Sequence, residues 1–201
     1  MNVFFKFFLC MISSFLFAQD FIEGEHFFRV QGENLYNQTE VHYFFSYNCH
    51  FCKKFSKEFA NAFNDLPQDT LIKKHVFIKK ESDLLLAKTY YLMTKYNNYS
   101  QNLNDTLFQL AEENSLSEDV FLKRMAHKSY ENLFTDWSDC SIEEVKDYLK
   151  DSAQWGKELK LAAFPSCYVI GPKGCFYIYP SKKLPIEKIS ACLKYLIAAQ
   201  K

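Results

Sequence analysis

A strand-like segment runs into a pair of cysteines that begins a helix-like segment, and this junction constrains the fold more than any other part of the 201-residue sequence. Residues 40–46 (EVHYFFS) are β-branched and aromatic and are bounded by turn residues, which predicts a buried strand. Cys49 and Cys52 follow this strand. Phenylalanines then recur at every fourth position, which predicts an amphipathic helix that ends at Pro67. Its apolar stripe consists of Phe51, Phe55, Phe59 and Phe63.

A cysteine at the first turn of a helix has a physical reason to be reactive. Unsatisfied backbone N–H groups and the helix dipole stabilise a thiolate at this position. A lowered pKa makes Cys49 both a good nucleophile and a good leaving group, and Cys52, one turn later, is placed to resolve a mixed disulfide. His50 adds positive charge when it is protonated, and Lys53 and Lys54 follow closely.

Two other interpretations of the cysteine pair stay open. A zinc site needs two more ligands at useful spacing, and the sequence has neither a second Cys-x-x-Cys nor a His-x3-His after the pair. A purely structural bridge over so short a loop adds little stability, because it removes little entropy from the unfolded chain. The spacing therefore favours a redox pair, for which no metal and no organic cofactor is needed.

The composition narrows the class of protein. Hydrophobic residues make up 48% of the chain, with 21 Phe and 13 Tyr, which supplies a core for one domain and argues against disorder. Lys plus Arg equals Asp plus Glu at 24 each, so the chain lacks the basic excess of a typical nucleic-acid-binding protein.

The first 18 residues, MNVFFKFFLCMISSFLFA, are typical of a secretory signal peptide with cleavage after Ala18. A membrane anchor is the alternative, but the apolar part is shorter than the roughly 20 residues of a spanning helix. We therefore expect an exported protein in a compartment where disulfides form and persist. The cysteines that remain after cleavage are Cys49, Cys52, Cys140, Cys167, Cys175 and Cys192.

The middle of the chain changes from strands to helices. Residues 26–31 and 71–78 predict two further strands, and the segment from Ser82 to about Asp136 has helical periodicity throughout. The predicted helices of this block cover residues 84–96, 103–111 and 120–125.

The last third predicts a long helix, a hairpin and a final helix. Ser141 and Glu144 match a capping box, so a helix is expected from there to about Leu161. Residues 166–170 and 175–179 predict a β-hairpin with the four-residue loop 171–174. A last helix is expected to begin at Pro185, with Ile186, Ile189, Leu193, Leu196 and Ile197 on one face.

The four other cysteines allow three complete pairings, and the sequence does not choose among them. The predicted hairpin places Cys175 opposite Ile170 and Cys167 opposite Ile178. This offset is about 10 Å at roughly 3.3 Å per residue, whereas a disulfide needs Cα atoms within about 7 Å. We therefore expect no Cys167–Cys175 bridge and treat Cys167 as structural.

Two more cysteines and the histidines are assigned by position. Cys192 lies on the apolar face of the last helix and is expected to be a buried, inert thiol. Cys140 directly precedes the predicted helix cap and is expected to be exposed. The remaining histidines are scattered along the sequence, and His75 is expected to be a satisfied core or edge residue.

Taken together, these segments resemble the DsbA family of periplasmic thiol:disulfide oxidoreductases. The resemblance covers nearly all of the chain after residue 18, and its most specific parts are the strand with the cysteine pair and the proline segment. It implies an α/β, thioredoxin-like fold with an inserted all-helical domain, in which residues 19–80 and 146–201 form the thioredoxin-like part and residues 81–145 the insertion. The stretches that carry it are FIEGEHFF (21–28), VHYFFSYNCHFC (41–52), IKKHV (72–76) and FPSCYVIGPKGCFYI (164–178).

The resemblance also implies roles for individual residues. Cys49 is expected to be the exposed nucleophilic sulfur and Cys52 its buried partner. Pro165 is expected to follow a cis peptide bond and to lie against the pair, where a substrate peptide can pair with the backbone edge.

Three departures from the family pattern bear on the redox potential. The family places histidine just before the second cysteine, whereas here His50 comes first and Phe51 second. Tyr43 stands where the family buries a glutamate, and Lys73 is expected to keep the lysine of the next strand. Phe164 stands where the family prefers valine or threonine.

The function implied by the resemblance is the introduction of disulfide bonds into reduced, unfolded exported proteins in the periplasm. A DsbB-like membrane oxidase is the implied reoxidant, and a monomer without nucleic-acid partners is expected. A reductase or isomerase on the same fold is the nearest alternative, although no dimerisation domain is visible before Phe21. A non-enzymatic holdase for exported chains, whose cysteines form only a bridge, is the alternative from another class. Some aromatic side chains near the pair are expected to form an apolar patch for unfolded substrate.

Overall fold

The structure, a computed structural model, describes residues 21–30, 36–96, 100–113, 117–127, 137 and 139–201. The predicted signal peptide, residues 1–18, lies outside the described residues. Among the described helices, none combines the length and apolar composition that crossing a bilayer requires. The strands are β1 (Phe28–Val30), β2 (Glu40–Phe45), β3 (Leu71–Val76), β4 (Ser166–Gly171) and β5 (Gly174–Ile178). The helices are α1 (His50–Asn64), α2 (Leu84–Lys95), α3 (Gln101–Ala111), α4 (Glu118–His127), α5 (Ile142–Glu158) and α6 (Ile189–Ala199).

The five strands form one mixed sheet in the order β1-β5-β4-β2-β3. Strands β2 and β3 are parallel and are connected through α1, because parallel neighbours need a crossover rather than a tight turn. The other pairings are antiparallel. The predicted α/β architecture with a block of helices inserted between β3 and α5 is confirmed.

Side chains of β2 alternate between two buried faces of the sheet. Tyr43 faces α1, where its ring centroid lies 4.6 Å from that of Phe59. His42 faces α5, where its ring centroid lies 4.2 Å from that of Trp155. Helices therefore cover β2 on both sides, which explains why its sequence is apolar and aromatic almost without interruption.

The inserted helices pack against the carboxyl end of β2, where the cysteine pair follows. The ring centroids of Phe45 and Tyr90 are 5.1 Å apart, and those of Tyr47 and Phe108 are 4.8 Å apart. Tyr90 belongs to α2 and Phe108 to α3, so the insertion shares one core with the sheet. The predicted domain boundary at residue 145 falls inside α5.

Helix α5 begins as its sequence predicts and ends slightly earlier. The Ser141 hydroxyl accepts from the Glu144 backbone N–H at 3.2 Å, and the Glu144 carboxylate accepts from the Ser141 N–H at 3.0 Å, which completes the capping box. The helix ends at Glu158 rather than near Leu161. Lys160 adopts a left-handed conformation with φ 52°, and the Leu161 N–H donates back to the Gly156 carbonyl at 2.8 Å. This is a Schellman-type helix end.

The hairpin has the predicted register but a shorter loop. Cys167 is opposite Ile178 and Ile170 is opposite Cys175, as expected, and all six described cysteines are free. Gly171 and Gly174 also pair, so the loop has two residues rather than the predicted four. The Gln200 side chain fastens the turn, because its Oε1 accepts from the Lys173 N–H and its Nε2 donates to the Gly174 carbonyl.

The prediction of an exposed Cys140 is wrong, because the residue is only 5% exposed. It occupies the position before the Ser141 cap, where an apolar side chain commonly packs towards the fourth residue of the helix. That residue is the buried Val145. Cys192 is fully buried, as predicted, and Cys167 is fully buried as well.

Candidate active site

Cys49 is the N-cap of α1, and its sulfur takes the place of a capping oxygen. Its backbone is extended, with φ −98° and ψ 114°, and its Sγ accepts from the Cys52 backbone N–H at 3.3 Å. The Cys49 N–H in turn donates to the Ser46 carbonyl at 3.0 Å, which holds the loop in shape. The free donors of the helix N-terminus therefore point at the sulfur, where they stabilise negative charge.

The two sulfurs have opposite acid–base character. A hydrogen bond from the Cys52 thiol is the largest cause that lowers the pKa of Cys49, to about 6, against the opposing effect of burial. The backbone N–H groups of Cys52 and Phe51 and the charge of Lys79 lower this pKa further. Burial, and then the hydrogen bond to Cys49, raise the pKa of Cys52. At neutral pH the pair is therefore a Cys49 thiolate beside a Cys52 thiol.

Only one of the two sulfurs is accessible. Cys49 is half-buried, whereas Cys52 is 0% exposed inside the first turn of the helix. A partner from solution therefore meets Cys49 first. The accessible position of Cys49 and the buried position of Cys52 are those that the resemblance implied.

The loop before β4 brings Phe164 and Pro165 against Cys49. The Phe164–Pro165 peptide bond is cis, as the resemblance implied, and Pro165 is buried. In its protonated form the Cys49 thiol donates to the Phe164 carbonyl across 3.6 Å. The Phe164 ring packs towards Phe77, with the centroids 5.2 Å apart. Strand β4 follows this loop directly and pairs with β2, and this pairing holds the loop beside Cys49.

An open groove of about 460 Å³ runs beside the cysteine pair. Only Phe59 and Phe63 of the predicted apolar stripe are buried in the core. Phe51 is 56% exposed and its ring stacks on Phe55 at 6.2 Å, so the first two phenylalanines form a wall of the groove instead. His50 is also exposed next to Phe51. Other apolar lining residues are Phe164, Pro165, Tyr179 and Ile186.

The structure separates Tyr43 from Lys73, which were expected to lie together. Tyr43 is buried against α1, but Lys73 lies on the opposite face of the sheet, where its Nζ is 2.7 Å from the Glu40 carboxylate. Lys74 is the β3 residue paired with Tyr43, and its Nζ lies 5.4 Å from the ring centroid of Phe63. Burial lowers the pKa of Lys74. The lysine of β3 on the same side as Tyr43 is therefore Lys74 rather than Lys73. The two are neighbours in the sequence, but successive residues of a strand point to opposite faces of the sheet.

Three groups near or behind the site were not identified from the sequence. Lys79, just after β3, lowers the pKa of both cysteines electrostatically. Asp83 is buried and accepts from the side chain of Asn48, the residue before Cys49. His42 and His75, treated as scattered, are in direct contact on the far face of the sheet. No local sequence pattern marks these contacts, since each joins residues that are distant in the chain.

Within the described ranges, no three or more His, Cys, Asp or Glu side chains are grouped in a way that could hold a metal ion. The site therefore consists of a thiolate, a buried thiol, a backbone edge and an apolar groove.

Comparison with known proteins identifies the fold. No family model matches the sequence, and no curated protein is similar to it in sequence. Among solved structures, DsbA from Pseudomonas aeruginosa is similar with a TM-score of 0.70 and 15% identity, over 92% of this chain and 99% of that chain. The DsbA disulfide interchange protein from Klebsiella pneumoniae is similar with a TM-score of 0.65 and 14% identity, over 91% and 98% of the two chains. The disulfide oxidoreductase DsbA from Proteus mirabilis gives 0.64 and 14%, over 89% and 98%.

These likenesses span almost the full length of both chains, so they include the inserted helices as well as the sheet. The chain has the thioredoxin-like fold with a helical insertion that these DsbA proteins share.

Proposed function

We propose that this chain is a thiol:disulfide oxidoreductase that introduces disulfide bonds into exported proteins through the Cys49–Cys52 pair. The observation that carries the proposal is the Cys49 sulfur, which caps a helix, is accessible, and has a pKa lowered to about 6. A sulfur in this setting is stable as a thiolate, and thiolate stability governs thiol–disulfide exchange.

The reaction begins with the Cys49–Cys52 disulfide. A substrate thiolate attacks the Cys49 sulfur, the Cys49–Cys52 bond breaks, and Cys52 leaves and takes up a proton. The substrate is then joined to Cys49 by a mixed disulfide. A second substrate thiolate attacks the first substrate sulfur and displaces Cys49 as a thiolate. The substrate loses two electrons and gains a disulfide, and the cysteine pair gains those two electrons.

The second step supports the proposed direction of the exchange. Cys49 leaves more readily when its thiolate is stabilised, and the same stabilisation favours the reduced form of the pair. The helix N-terminus and the Cys52 thiol both act on the Cys49 sulfur in this way. Disulfide donation is therefore the direction that the local chemistry favours.

The groove and the proline loop suit an unfolded substrate. Phe51 and Phe55 offer an apolar wall, and the backbone before β4 offers an edge with which an extended peptide can pair. An unfolded chain exposes both apolar side chains and free backbone groups. Reduced, unfolded exported proteins are therefore the proposed substrates.

The remaining parts of the proposal concern the setting. Residues 1–18 are proposed to be a signal peptide and the periplasm to be the compartment, because disulfides persist there. A membrane oxidase of the DsbB type is proposed to take the two electrons from the reduced pair. The protein is proposed to act as a monomer.

A reductase or isomerase on the same fold is the second candidate. It is favoured by the pKa of Cys49, which at about 6 lies nearer the about 7 of thioredoxin than the about 3.5 of DsbA. Tyr43, in place of a buried acid, also leaves the deprotonation of Cys52 without a neighbouring carboxylate at that position.

The proposal is tested with the oxidised protein and a reduced, unfolded test protein that has two cysteines. The wild type is expected to oxidise it and Cys49→Ser to be inactive. Cys52→Ser, first loaded with glutathione as a mixed disulfide at Cys49, is expected to release one glutathione when a substrate thiolate attacks the Cys49 sulfur. Cys175→Ser, a change at a half-buried cysteine of β5, is the matched control and is expected to retain activity. Undiminished oxidation by Cys49→Ser would remove the enzymatic proposal.

A further inference from the structure

Asp83 is a buried carboxylate behind the cysteine pair. It is the last residue of the short 3-10 helix Glu81–Asp83, which leads from β3 to α2, and it is only 2% exposed. A carboxylate is rarely buried to this extent unless hydrogen bonds compensate the loss of water. Its hydrogen-bond partners therefore identify what it holds.

One oxygen of Asp83 joins two separate segments of the chain. Its Oδ2 accepts from the Asn48 side-chain amide at 2.6 Å, from the Lys79 backbone N–H at 2.8 Å and from the Lys80 backbone N–H at 3.1 Å. Asn48 directly precedes Cys49, whereas the two lysines follow β3. The carboxylate thus fastens the loop before the nucleophilic sulfur to the turn after the neighbouring strand.

The turn held by Asp83 carries the charge that acts on both sulfurs. Lys79 lowers the pKa of Cys49 and that of Cys52 through electrostatic attraction. The interaction of two charges falls with their separation, so this effect depends on where the turn lies. The backbone of Lys79 is fixed by its hydrogen bond to Asp83.

A second anchor of the same loop provides a comparison. The Tyr47 hydroxyl donates to Oδ1 of Asn104 at 3.0 Å, and Asn104 is buried in α3. Two successive loop residues are thus tied to buried polar side chains that follow β3 in the chain. The Asn104 anchor ties the loop to α3, whereas the Asp83 anchor ties it to the Lys79 turn.

We propose that Asp83 is a positioning residue of the dithiol site, which fixes Asn48 and the Lys79 turn relative to each other and so keeps the Lys79 charge close to Cys49 and Cys52. This inference rests on the proposed thiol–disulfide chemistry of the pair. It adds a residue that tunes the pair without touching the substrate.

The sign of the effect separates positioning from simple charge. A negative charge near a thiolate disfavours it, so removing the Asp83 carboxylate would by itself lower the pKa of Cys49. Releasing the Lys79 turn has the opposite effect, because the thiolate loses an attractive charge. An increase in the Cys49 pKa of the Asp83→Ala variant therefore indicates that Asp83 acts by positioning the Lys79 turn.

The experiment follows the ultraviolet absorbance of the thiolate against pH in the reduced protein. Lys79→Met is expected to raise the Cys49 midpoint by about half a pH unit, a size typical of a partly exposed charge pair. Asp83→Ala is expected to raise it by a smaller amount, because loss of the negative charge partly offsets release of the turn. The double variant is expected to rise no further than Lys79→Met alone, because the Lys79 charge that the turn positions is then already absent. An unchanged or lowered midpoint in Asp83→Ala, or two shifts that add, overturns the proposal.

Two control variants and one substitute complete the design. Asn104→Ala breaks the other anchor and is expected to lower thermal stability but to leave the midpoint in place; an equal rise there would overturn the proposal. Glu81→Ala removes an exposed carboxylate from the same turn and is expected not to raise the midpoint. If Asp83→Ala does not fold, Asn48→Ala removes only the loop side of the link, and an unchanged midpoint in it overturns the proposal.

The outcome for Asp83 is separable from the outcome for the proposed function. If the wild-type protein does not exchange disulfides with the test protein, the proposed function is refuted. If the wild type exchanges disulfides but the Cys49 midpoint is unaltered in Asp83→Ala, only the positioning role of Asp83 is refuted.

Discussion

His42 and His75 are in contact beneath Trp155, on the face of the sheet that is turned away from the cysteine pair. Nδ1 of His42 lies 3.0 Å from Nε2 of His75, and the rings are stacked with their centroids 5.1 Å apart. The Glu40 carboxylate, which also pairs with Lys73, accepts from Nε2 of His42 at 3.0 Å. The pKa values of both histidines are lowered, so both imidazoles are neutral at pH 7; His42 then accepts at Nδ1 and His75 donates to it.

This pair makes the stability of the fold sensitive to acid. Burial lowers the pKa of His42 to about 4, although the Glu40 carboxylate opposes this shift. Burial, together with the charges of His42 and Lys73, lowers the pKa of His75 to about 3. The unfolded chain, with ordinary histidines near pH 6.5, binds more protons than the folded chain below that pH. The free energy of unfolding is therefore expected to fall between pH 7 and pH 5, by roughly 2 kcal/mol for each histidine at pH 5.

Denaturant unfolding at a series of pH values measures this loss. His75→Gln removes one titrating ring and is expected to reduce the loss by about half. An identical loss in His75→Gln and the wild type would contradict the account.

Alkylation of the reduced protein is expected to select Cys49. With a pKa of about 6, roughly nine-tenths of Cys49 is thiolate at pH 7 and about one-tenth at pH 5. Burial raises the pKa of Cys52, Cys140, Cys167, Cys175 and Cys192. Limiting iodoacetamide at pH 7 should therefore add once, at Cys49, as read by peptide mass spectrometry. First addition at another cysteine would show that the thiolate is elsewhere.

The exposed Phe51 ring is expected to contribute to substrate binding rather than to folding. Phe51→Ala removes apolar surface from the groove, so KM for an unfolded protein substrate should rise by up to about tenfold. The rate with a small thiol such as dithiothreitol should not change, because such a molecule does not reach along the groove. Ile142→Ala, at an exposed apolar residue on α5, is the matched control. Equal loss with both substrates would place Phe51 in the chemistry instead.

Phe59, two turns further along the same helix, is expected to behave in the opposite way. It is 1% exposed and packs between Tyr43 and Phe63. Phe59→Ala should lower the free energy of unfolding by about 3–5 kcal/mol, through lost burial and a cavity. Phe51→Ala should lower it by less than about 1 kcal/mol, as is usual at the surface. Thermal unfolding of the two variants side by side makes the comparison, and similar losses would contradict it.

Local signals in the sequence were sufficient for the elements and for the cysteine pair. A continuous apolar segment predicts β2, and the phenylalanines at every fourth position after it predict α1. Ser141 with Glu144 predicts the start of α5. The hairpin register also follows locally, because a short turn fixes which residues lie opposite each other. The pairing of Cys167 with Ile178 is therefore correct even though the loop is shorter than predicted.

The contacts that tune the pair could not be predicted in the same way. Whether Lys73 or Lys74 faces α1 depends on how β3 aligns with β2, and a shift of one residue reverses the answer. Asp83 and Lys79 reach the site only because β3 ends beside β2. The burial of Cys140, by contrast, follows a local pattern that the prediction overlooked, because the residue before a helix cap commonly packs towards the fourth residue of the helix.

The reduction potential of the Cys49–Cys52 pair, measured by equilibrating the protein with glutathione redox buffers, tests the central claim most directly. A disulfide donor with a stabilised Cys49 thiolate is expected to lie closer to the about −120 mV of DsbA than to the about −270 mV of thioredoxin. Such a value would support disulfide donation to exported proteins. A value close to that of thioredoxin would contradict it, and the reductase or isomerase alternative would then describe the protein better.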